Sequence, residues 1–224
     1  MRPTPAPLAS DLPADPSTAR HADRLPLATP VSGLRAIVLG SSSIYRRELM
    51  QRLRTPFEVI APNVDESPLD HEQPRALAMR LARAKAWAVA DNRPGAVVIG
   101  SDQVADLGGQ AMGKPGDHVN ATAQLRAMRG QTVLFHTALC VVCRESGFEE
   151  AEVAEVRVRF RNLTDEEIER YLMAERPYDC AGSARSEGLG ISLLDAIESD
   201  DPTALIGLPL IRTCRLLRSA GAMA

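Results

Sequence analysis

Residues 96–107, AVVIGSDQVADL, decide the fold of this chain. Their first half is an uninterrupted apolar run, which is typical of a strand that is buried on both faces. The strand is expected to end in a turn at Gly108 and Gly109. Asp102 follows the apolar run directly, where a carboxylate loses solvation unless a cation or a bound water compensates it. Asp102 is therefore a candidate functional residue, although strand-end carboxylates also serve as caps and turn formers.

Strands and helices alternate on both sides of this segment. The helix patterns lie at residues 41–53, 75–90, 120–130, 167–175 and 208–221, and further strand patterns lie at 34–40, 57–62, 132–143 and 151–163. Thr164 and Glu167 have the spacing of a capping box at the start of one helix. Alternating strands and helices predict an α/β domain.

Composition and charge exclude several classes of protein. The chain has 224 residues, 45% of them hydrophobic and 25% charged, as in ordinary globular domains. Its net charge of -3 gives no basic surplus for nucleic acid. No apolar run reaches the roughly 18 residues that a membrane span needs. We therefore expect a cytoplasmic protein with neither a nucleic-acid nor a membrane partner.

The first 33 residues differ from the rest of the chain. They are rich in proline and alanine, and they lack both apolar periodicity and the continuous apolar stretch of a secretory signal. Residues 1–33 are therefore predicted to be a disordered extension, and residues 34–224 the folded domain.

Cys140 and Cys143 form a C-x-x-C pattern, which is found in redox and zinc sites. However, they lie in the apolar run 132–143, where residues three apart on a strand face opposite sides. No second cysteine or histidine pair completes a zinc site. Reduced, structural thiols are the expectation.

Serines 41–43, followed by Arg46 and Arg47, lie where a strand ends and a helix begins. Unpaired backbone N–H groups, hydroxyls and a guanidinium at such a point favour a phosphate. The alternative is a serine helix cap beside a solvated basic face, and these residues alone leave both interpretations open.

Other charged residues supply the parts of a phosphoanhydride hydrolase. Glu66 lies in an acidic turn and could bind Mg²⁺ beside phosphates, although this turn alone favours a surface position. Lys114 lies in a Gly/Pro turn, MGKPG. Lys85 lies in a helix, where its position alone favours a solvated surface lysine. Together with Asp102, these residues are the parts that metal-assisted cleavage requires.

From about Leu34 to its C-terminus, the chain resembles the Maf family of nucleotide pyrophosphatases. Seven segments occur in the order of that family: SSSIYRREL, VDESP, RLARAKA, IGSDQV, GKP, LRAMRGQTV and CAGSARSEGLG with LIGLPL. The resemblance implies an elongated mixed α/β fold of the Maf and ITPase-like kind, with two lobes around a central cleft.

The resemblance also implies a reaction and roles for residues. The reaction is hydrolysis of a nucleoside triphosphate to a monophosphate and pyrophosphate with Mg²⁺ or Mn²⁺, and a homodimer is open by resemblance alone. By motif, Asp102 corresponds to the general base, Glu66 to its acidic partner on the metal side, and Lys114 to a catalytic cation. The residues that correspond to triphosphate holders are Ser41, Arg46, Arg47, Lys85 and Lys114.

Tyr45, Gln103 and Glu187 resemble the branch of the family that favours 7-methyl-GTP. A carboxylate such as Glu187 accepts guanine N–H donors, and a ring such as Tyr45 suits a cationic methylated base. Ile44 stands where the family generally has proline, and Tyr45 replaces the more usual tryptophan. Ala184 and Arg185 stand where the branch usually has phenylalanine and lysine. Two alternatives remain: a dTTP/UTP pyrophosphatase of the same fold, and a nucleotide-binding regulator of cell division.

Overall fold

A computed structural model describes residues 33–224, and their strands and helices form one sheet with helices on both faces. The strands are β1 (Ile37–Gly40), β2 (Glu58–Ile60), β3 (Val97–Leu107), β4 (Gln110–Met112), β5 (Thr132–Cys143), β6 (Phe148–Phe160) and β7 (Leu194–Glu198). The helices are α1 (Ile44–Gln51), α2 (Pro74–Ala90), α3 (His118–Met128), α4 (Asp165–Glu175) and α5 (Leu210–Ser219). The disorder predicted for the N-terminal extension falls on residues 1–32, outside the described residues.

The sheet is mixed, with two parallel and four antiparallel strand pairings. Its strand order is β2-β1-β3-β5-β6-β7, and β4 pairs with the far end of β3. Strands β2, β1 and β3 run parallel, whereas β5, β6 and β7 continue the sheet in antiparallel fashion. The expected mixed α/β fold is confirmed.

The hydrophobic core divides along the sheet into regions that correspond to two lobes. Near β1, one cluster lies between the sheet and helices α1 and α5, and a second lies on the opposite face beneath α2. A third cluster packs α3 and α4 against the other end of β5 and β6. This division leaves room for a cleft between the two lobes.

Helix α2 packs unusually close to β3 because of Gly100. A Cβ atom at Gly100 would lie 2.2 Å from the carbonyl oxygen of Ala82 and 2.5 Å from the backbone nitrogen of Ala86. Only a glycine therefore permits this approach of helix to strand. The same approach brings Lys85 on α2 beside Asp102 on β3.

Several local predictions are confirmed and some bounds are corrected. The capping box of Thr164 and Glu167 is present, and Cys140 and Cys143 are free thiols in clusters on opposite faces of the sheet. Strand β1 begins at Ile37 rather than Leu34, because the backbone N–H of Arg35 bonds to the carbonyl oxygen of Gly221 instead of to a neighbouring strand. Strands β4 and β7 were not predicted; each is short and is specified by pairing with a longer strand rather than by its own pattern.

Over the part of the chain that the structure describes, no helix is both long and apolar enough to cross a bilayer.

Candidate active site

Strand β3 has an unpaired edge, and this edge locates the cleft. On one side β3 pairs with β1 as far as Gly100, and β4 begins to pair on that side only at Ala105. Residues 101–104 therefore have no strand neighbour there, although β5 continues to pair with their other edge. Such a break in strand order is where α/β proteins place their ligand sites. Asp102 and Gln103 lie within it.

A cleft of about 440 Å³ opens at this break. It is lined by every residue predicted for the site except one: Ser41, Tyr45, Arg46, Glu66, Lys85, Asp102, Gln103, Lys114 and Glu187. The exception is Arg47, which is exposed on α1 and does not line the cleft. The sequence thus predicted a set of residues that the fold brings together from widely separated segments.

Lys85 lies between the two acidic residues of the cleft. Its Nζ is 2.6 Å from Oδ1 of Asp102 and 2.7 Å from Oε1 of Glu66. The side chains of Lys85 and Asp102 are 5% and 10% exposed, whereas that of Glu66 is 54% exposed. The solvated surface lysine that its helical position favoured is therefore wrong, because the close contact at Gly100 turns this part of α2 toward β3.

The surrounding cations affect the ionisation of Glu66. Partial burial by itself raises the pKa of this carboxyl, but the hydrogen bond from Lys85 and the charges of Lys85, Lys114 and Arg46 outweigh it. The net result is a pKa below the ordinary value, so Glu66 is ionised at neutral pH.

The phosphate cradle predicted at serines 41–43 has unused donors. Oγ of Ser41 accepts the backbone N–H of Ser43, and Oγ of Ser43 accepts that of Arg46, which fixes the turn into α1. Within residues 33–224, the backbone N–H groups of Ser42, Ile44 and Tyr45 have no acceptor. They line the cleft at the positive end of the α1 dipole, which suits an anion.

A hydrogen bond to the backbone of Gly207 orients the side chain of Arg46. Its Nε donates to the carbonyl oxygen of Gly207 at 2.8 Å, and its two terminal nitrogens have no partner among the described residues. Burial lowers the pKa of Arg46, while the charges of Asp102 and Glu66 oppose that shift. The guanidinium stays charged, with its outer nitrogens available to a ligand.

Lys114 lies in a loop that several hydrogen bonds fix. The carbonyl of Gly113 accepts from Gln124 and from the backbone of Gly182, and Gly116 donates to the carbonyl of Tyr178. In the described part of the chain Lys114 forms no ion pair, so its charge is available to the cleft. The chain has only two lysines, Lys85 and Lys114, among its 26 basic residues, and both line the cleft.

A second group of residues that line the cleft, called its acidic end below, is acidic and aromatic. The hydroxyl of Tyr45 donates to Asp179 at 3.4 Å, and burial raises the pKa of this phenol, which keeps it protonated. Cζ of Arg185 lies 5.4 Å from the centroid of the Tyr45 ring, within cation–π distance. Tyr45, Asp179 and Glu187 line the cleft, but Arg185 does not.

Gln103 lines the cleft but uses its amide nitrogen elsewhere. Nε2 lies 3.0 Å from Oγ1 of Thr137, 2.9 Å from the carbonyl oxygen of Ala204 and 3.0 Å from that of Leu205. Its N–H groups thus hold the segment that contains Leu205, which also lines the cleft. A single amide cannot donate to the base with the same hydrogens.

The residues present fit a divalent cation only together with a ligand. Among residues 33–224, no cluster of three or more His, Cys, Asp or Glu side chains is arranged to bind a metal. Glu66 and Asp102 are nevertheless close together, both in contact with Lys85. Two carboxylates with substrate phosphates and waters are a usual ligand set for Mg²⁺.

Two features of the site had no sequence signal of their own. Asp179 lies in an irregular segment without periodicity, and Arg185 was noted only as a departure from the family pattern. The shortage of lysines was a usable signal. Where arginine supplies nearly all positive charge, the two lysines mark positions at which a compact ammonium is needed.

Comparisons with known proteins agree with this geometry. A family model described as Maf-like protein matches residues 36–220. The chain is 68% identical to a protein of Polaromonas sp. named 7-methyl-GTP pyrophosphatase, over 193 residues that cover 86% of this chain and 87% of the relative. Proteins with the same name from Albidiferax ferrireducens and Burkholderia pseudomallei are 64% and 61% identical, covering 84% and 83% of this chain and 94% and 87% of the relatives.

Proposed function

This chain belongs to the Maf-like protein family, and on that premise we propose that it hydrolyses 7-methyl-GTP to 7-methyl-GMP and pyrophosphate. The names of its relatives support both the pyrophosphatase activity and the methylated substrate. The observation that carries the proposal is the Lys85 ammonium between Glu66 and Asp102 in a cleft that also holds the free donors of the α1 turn.

The triphosphate binds at the cationic end of the cleft in this proposal. The free N–H groups after Ser41, the outer nitrogens of Arg46 and the ammonium of Lys114 all belong to residues that line this cleft. Lys85 contributes a third cation that is already paired with carboxylates. These groups stabilise the charge that accumulates on the pyrophosphate leaving group.

Asp102 acts on the attacking water. Its Oδ1 accepts from Lys85, whereas Oδ2 has no protein partner among residues 33–224 and is not an enclosed atom. Oδ2 is therefore available to accept a proton while the water oxygen bonds to phosphorus and the bridging bond between the α and β phosphates breaks. The ion pair with Lys85 limits the rotation of Asp102, which preorganises the base.

Glu66 and Asp102 are the residues that would hold a divalent cation. When bound, Mg²⁺ or Mn²⁺ supplies neutralisation of the triphosphate charge. The partly exposed position of Glu66 suits an ion that arrives with the nucleotide, because its second oxygen can face the cleft. Lys85 holds the two carboxylates near each other before the nucleotide binds.

The base binds at the acidic end. Methylation at N7 gives guanine a positive charge, and Glu187, Asp179 and the Tyr45 ring supply anions and a π face for it. Gln103 acts there by fixing the segment at Leu205 rather than by donating to the base. Uracil and thymine are neutral and gain less from this surface.

Product analysis tests the proposal. Purified protein is incubated with Mg²⁺ or Mn²⁺ and with 7-methyl-GTP, UTP, dTTP or CTP, and the nucleotide and phosphate products are separated. We expect a nucleoside monophosphate and pyrophosphate, with the fastest turnover for 7-methyl-GTP and loss of activity in a chelator. A diphosphate with orthophosphate would contradict the bond assignment, and preference for UTP or dTTP would contradict the substrate. Nucleotide binding without turnover would favour a regulator.

A further inference from the structure

One guanidinium connects the two residues that face the base. Arg185 lies over the Tyr45 ring, and its Nε donates to Oε1 of Glu187 at 3.3 Å. Tyr45 lies in the first turn of α1, whereas Glu187 lies in the irregular segment that follows α4. No single helix or strand therefore fixes the distance between the two side chains. The side chain of Arg185 contacts both.

Arg185 is itself held at several points. Its Nη1 donates to Oε1 of Glu175 at 3.0 Å, and its backbone N–H donates to the hydroxyl of Tyr171 at 3.0 Å. Tyr171 is buried in the core, and Glu175 also accepts the backbone N–H of Leu189 at 2.8 Å. The guanidinium is thus anchored to α4 at one edge, and its other contacts reach the cleft.

Arg185 does not line the cleft, although Tyr45 and Glu187 both do. A side chain behind two ligand-facing groups acts on a ligand through those groups. We propose that Arg185 is the positioning residue for base recognition, holding the Tyr45 ring and the Glu187 carboxylate at a fixed separation. This inference rests on the proposed function for the identity of the base.

The charge balance around Tyr45 supports a positioning role over a purely stabilising one. Asp179, Glu175 and Glu187 bring three carboxylates, and Arg185 brings one cation, so the base end remains net negative. A planar guanidinium can stack on a ring while its edge N–H groups pair with two carboxylates, whereas an ammonium has no planar face to stack. Arg185 therefore fixes the orientation of the Glu187 carboxylate, and the remaining negative charge is available to a cationic base.

Substitution of Arg185 should change base selectivity more than chemistry. In Arg185→Ala, we expect the ratio of kcat/KM for 7-methyl-GTP to that for UTP to fall about tenfold, through KM more than through kcat. Arg185→Lys keeps the charge but loses the stacked fork, so it should restore only part of the ratio. Arg170→Ala is the matched control, because Arg170 is exposed on α4 and forms no ion pair within the described residues.

A double-mutant cycle on the selectivity ratio distinguishes a positioning role of Arg185 from a merely structural one. If Arg185 acts through Glu187, the selectivity losses of Arg185→Ala and Glu187→Gln should not add in the double variant. Circular dichroism and melting temperatures identify any variant that fails to fold, in which case the Arg185→Lys result decides. Additive losses, or a selectivity ratio unchanged in both Arg185 variants, would overturn the assignment.

The outcomes separate this inference from the proposed function. If the wild-type protein prefers UTP, the proposed substrate is wrong, but Arg185→Ala must still weaken whichever base preference exists. If 7-methyl-GTP is preferred and Arg185→Ala leaves that preference intact, the proposed function stands and the role of Arg185 is refuted.

Discussion

The two ends of the cleft are built in different ways. At the phosphate end, Lys85 and Asp102 come from α2 and β3, two regular elements in close contact at Gly100, and both side chains are buried. At the base end, Asp179, Arg185 and Glu187 come from an irregular segment between α4 and β7 that contains only short 3-10 turns. The proposed chemistry thus rests on packing, whereas the proposed specificity rests on side-chain contacts that an irregular segment makes with α1 and α4.

This difference has a physical consequence. Displacing a buried helix disturbs many contacts at once, so the phosphate end tolerates little change. An irregular segment held by a few hydrogen bonds can vary its residues without disturbing the core. Substitutions at the two ends should therefore differ in kind: loss of turnover at one, and loss of discrimination at the other.

The largest expected effect is at Asp102. Asp102→Asn removes the proton acceptor but keeps the size of the side chain, so we expect kcat to fall by about a hundredfold or more for every nucleotide. Nucleotide affinity, measured by calorimetry, should change far less. Asp195→Asn is the control, because Asp195 is exposed and does not line the cleft. Full turnover in Asp102→Asn would remove Asp102 from the mechanism.

Gly100→Ala tests whether packing holds the phosphate end together. The added methyl group would meet the backbone of α2 at Ala82 and Ala86, which can relieve the clash only by moving the helix. We expect the free energy of unfolding to fall by about 3 kcal/mol. Because Lys85 moves with α2, kcat should also fall, by about tenfold.

Gly95→Ala provides the matched control for that substitution. A Cβ at Gly95 would make an ordinary contact, 3.6 Å from Oε2 of Glu145. Urea unfolding and steady-state kinetics on both variants measure the two effects. Equal stability of Gly100→Ala and Gly95→Ala would show that the close approach of α2 to β3 is not required.

Glu187→Gln tests the base end. The amide keeps the shape of the side chain but removes the negative charge, so a cationic base loses more than a neutral one. We expect kcat/KM for 7-methyl-GTP to fall about tenfold more than that for UTP. Glu150→Gln is the control, since Glu150 is exposed and forms no ion pair in the described part of the chain. Equal losses for both nucleotides would contradict base recognition by Glu187.

The smallest expected effect is the pH dependence of stability at Glu66. Its pKa is lowered in the folded protein, so ionised Glu66 stabilises the fold above the ordinary carboxyl pKa, and that contribution is lost as pH falls through the lowered value. Free energies of unfolding of wild type and Glu66→Gln should differ at neutral pH and converge as the pH falls through the lowered pKa of Glu66. A difference that grows on acidification would contradict the ion pair with Lys85.

The sequence was most informative where residues act through regular elements. The strand at 97–107, the long helix that carries Lys85 and the serine turn before α1 were all predicted from their own patterns. The pairing of Lys85 with Asp102 was not predicted, because it depends on how closely two elements pack at a single glycine.

The base end was harder to predict for a similar reason. Tyr45 and Glu187 were identified only through family resemblance, and nothing in the irregular segment indicates that Arg185 contacts both. Arg47 has the same sequence context as Arg46, yet one residue along a helix turns a side chain by about 100°, and Arg47 is exposed away from the cleft.

The most direct test of a cleft with a cationic end and an acidic end compares two substrates that differ by one methyl group. GTP and 7-methyl-GTP carry the same triphosphate, so the phosphate end treats them alike, and only the N7 methyl group with the positive charge that it creates distinguishes them. We predict that kcat/KM is at least about tenfold higher for 7-methyl-GTP. Equal values, or a preference for GTP, would contradict the assignment of the acidic end to a cationic base.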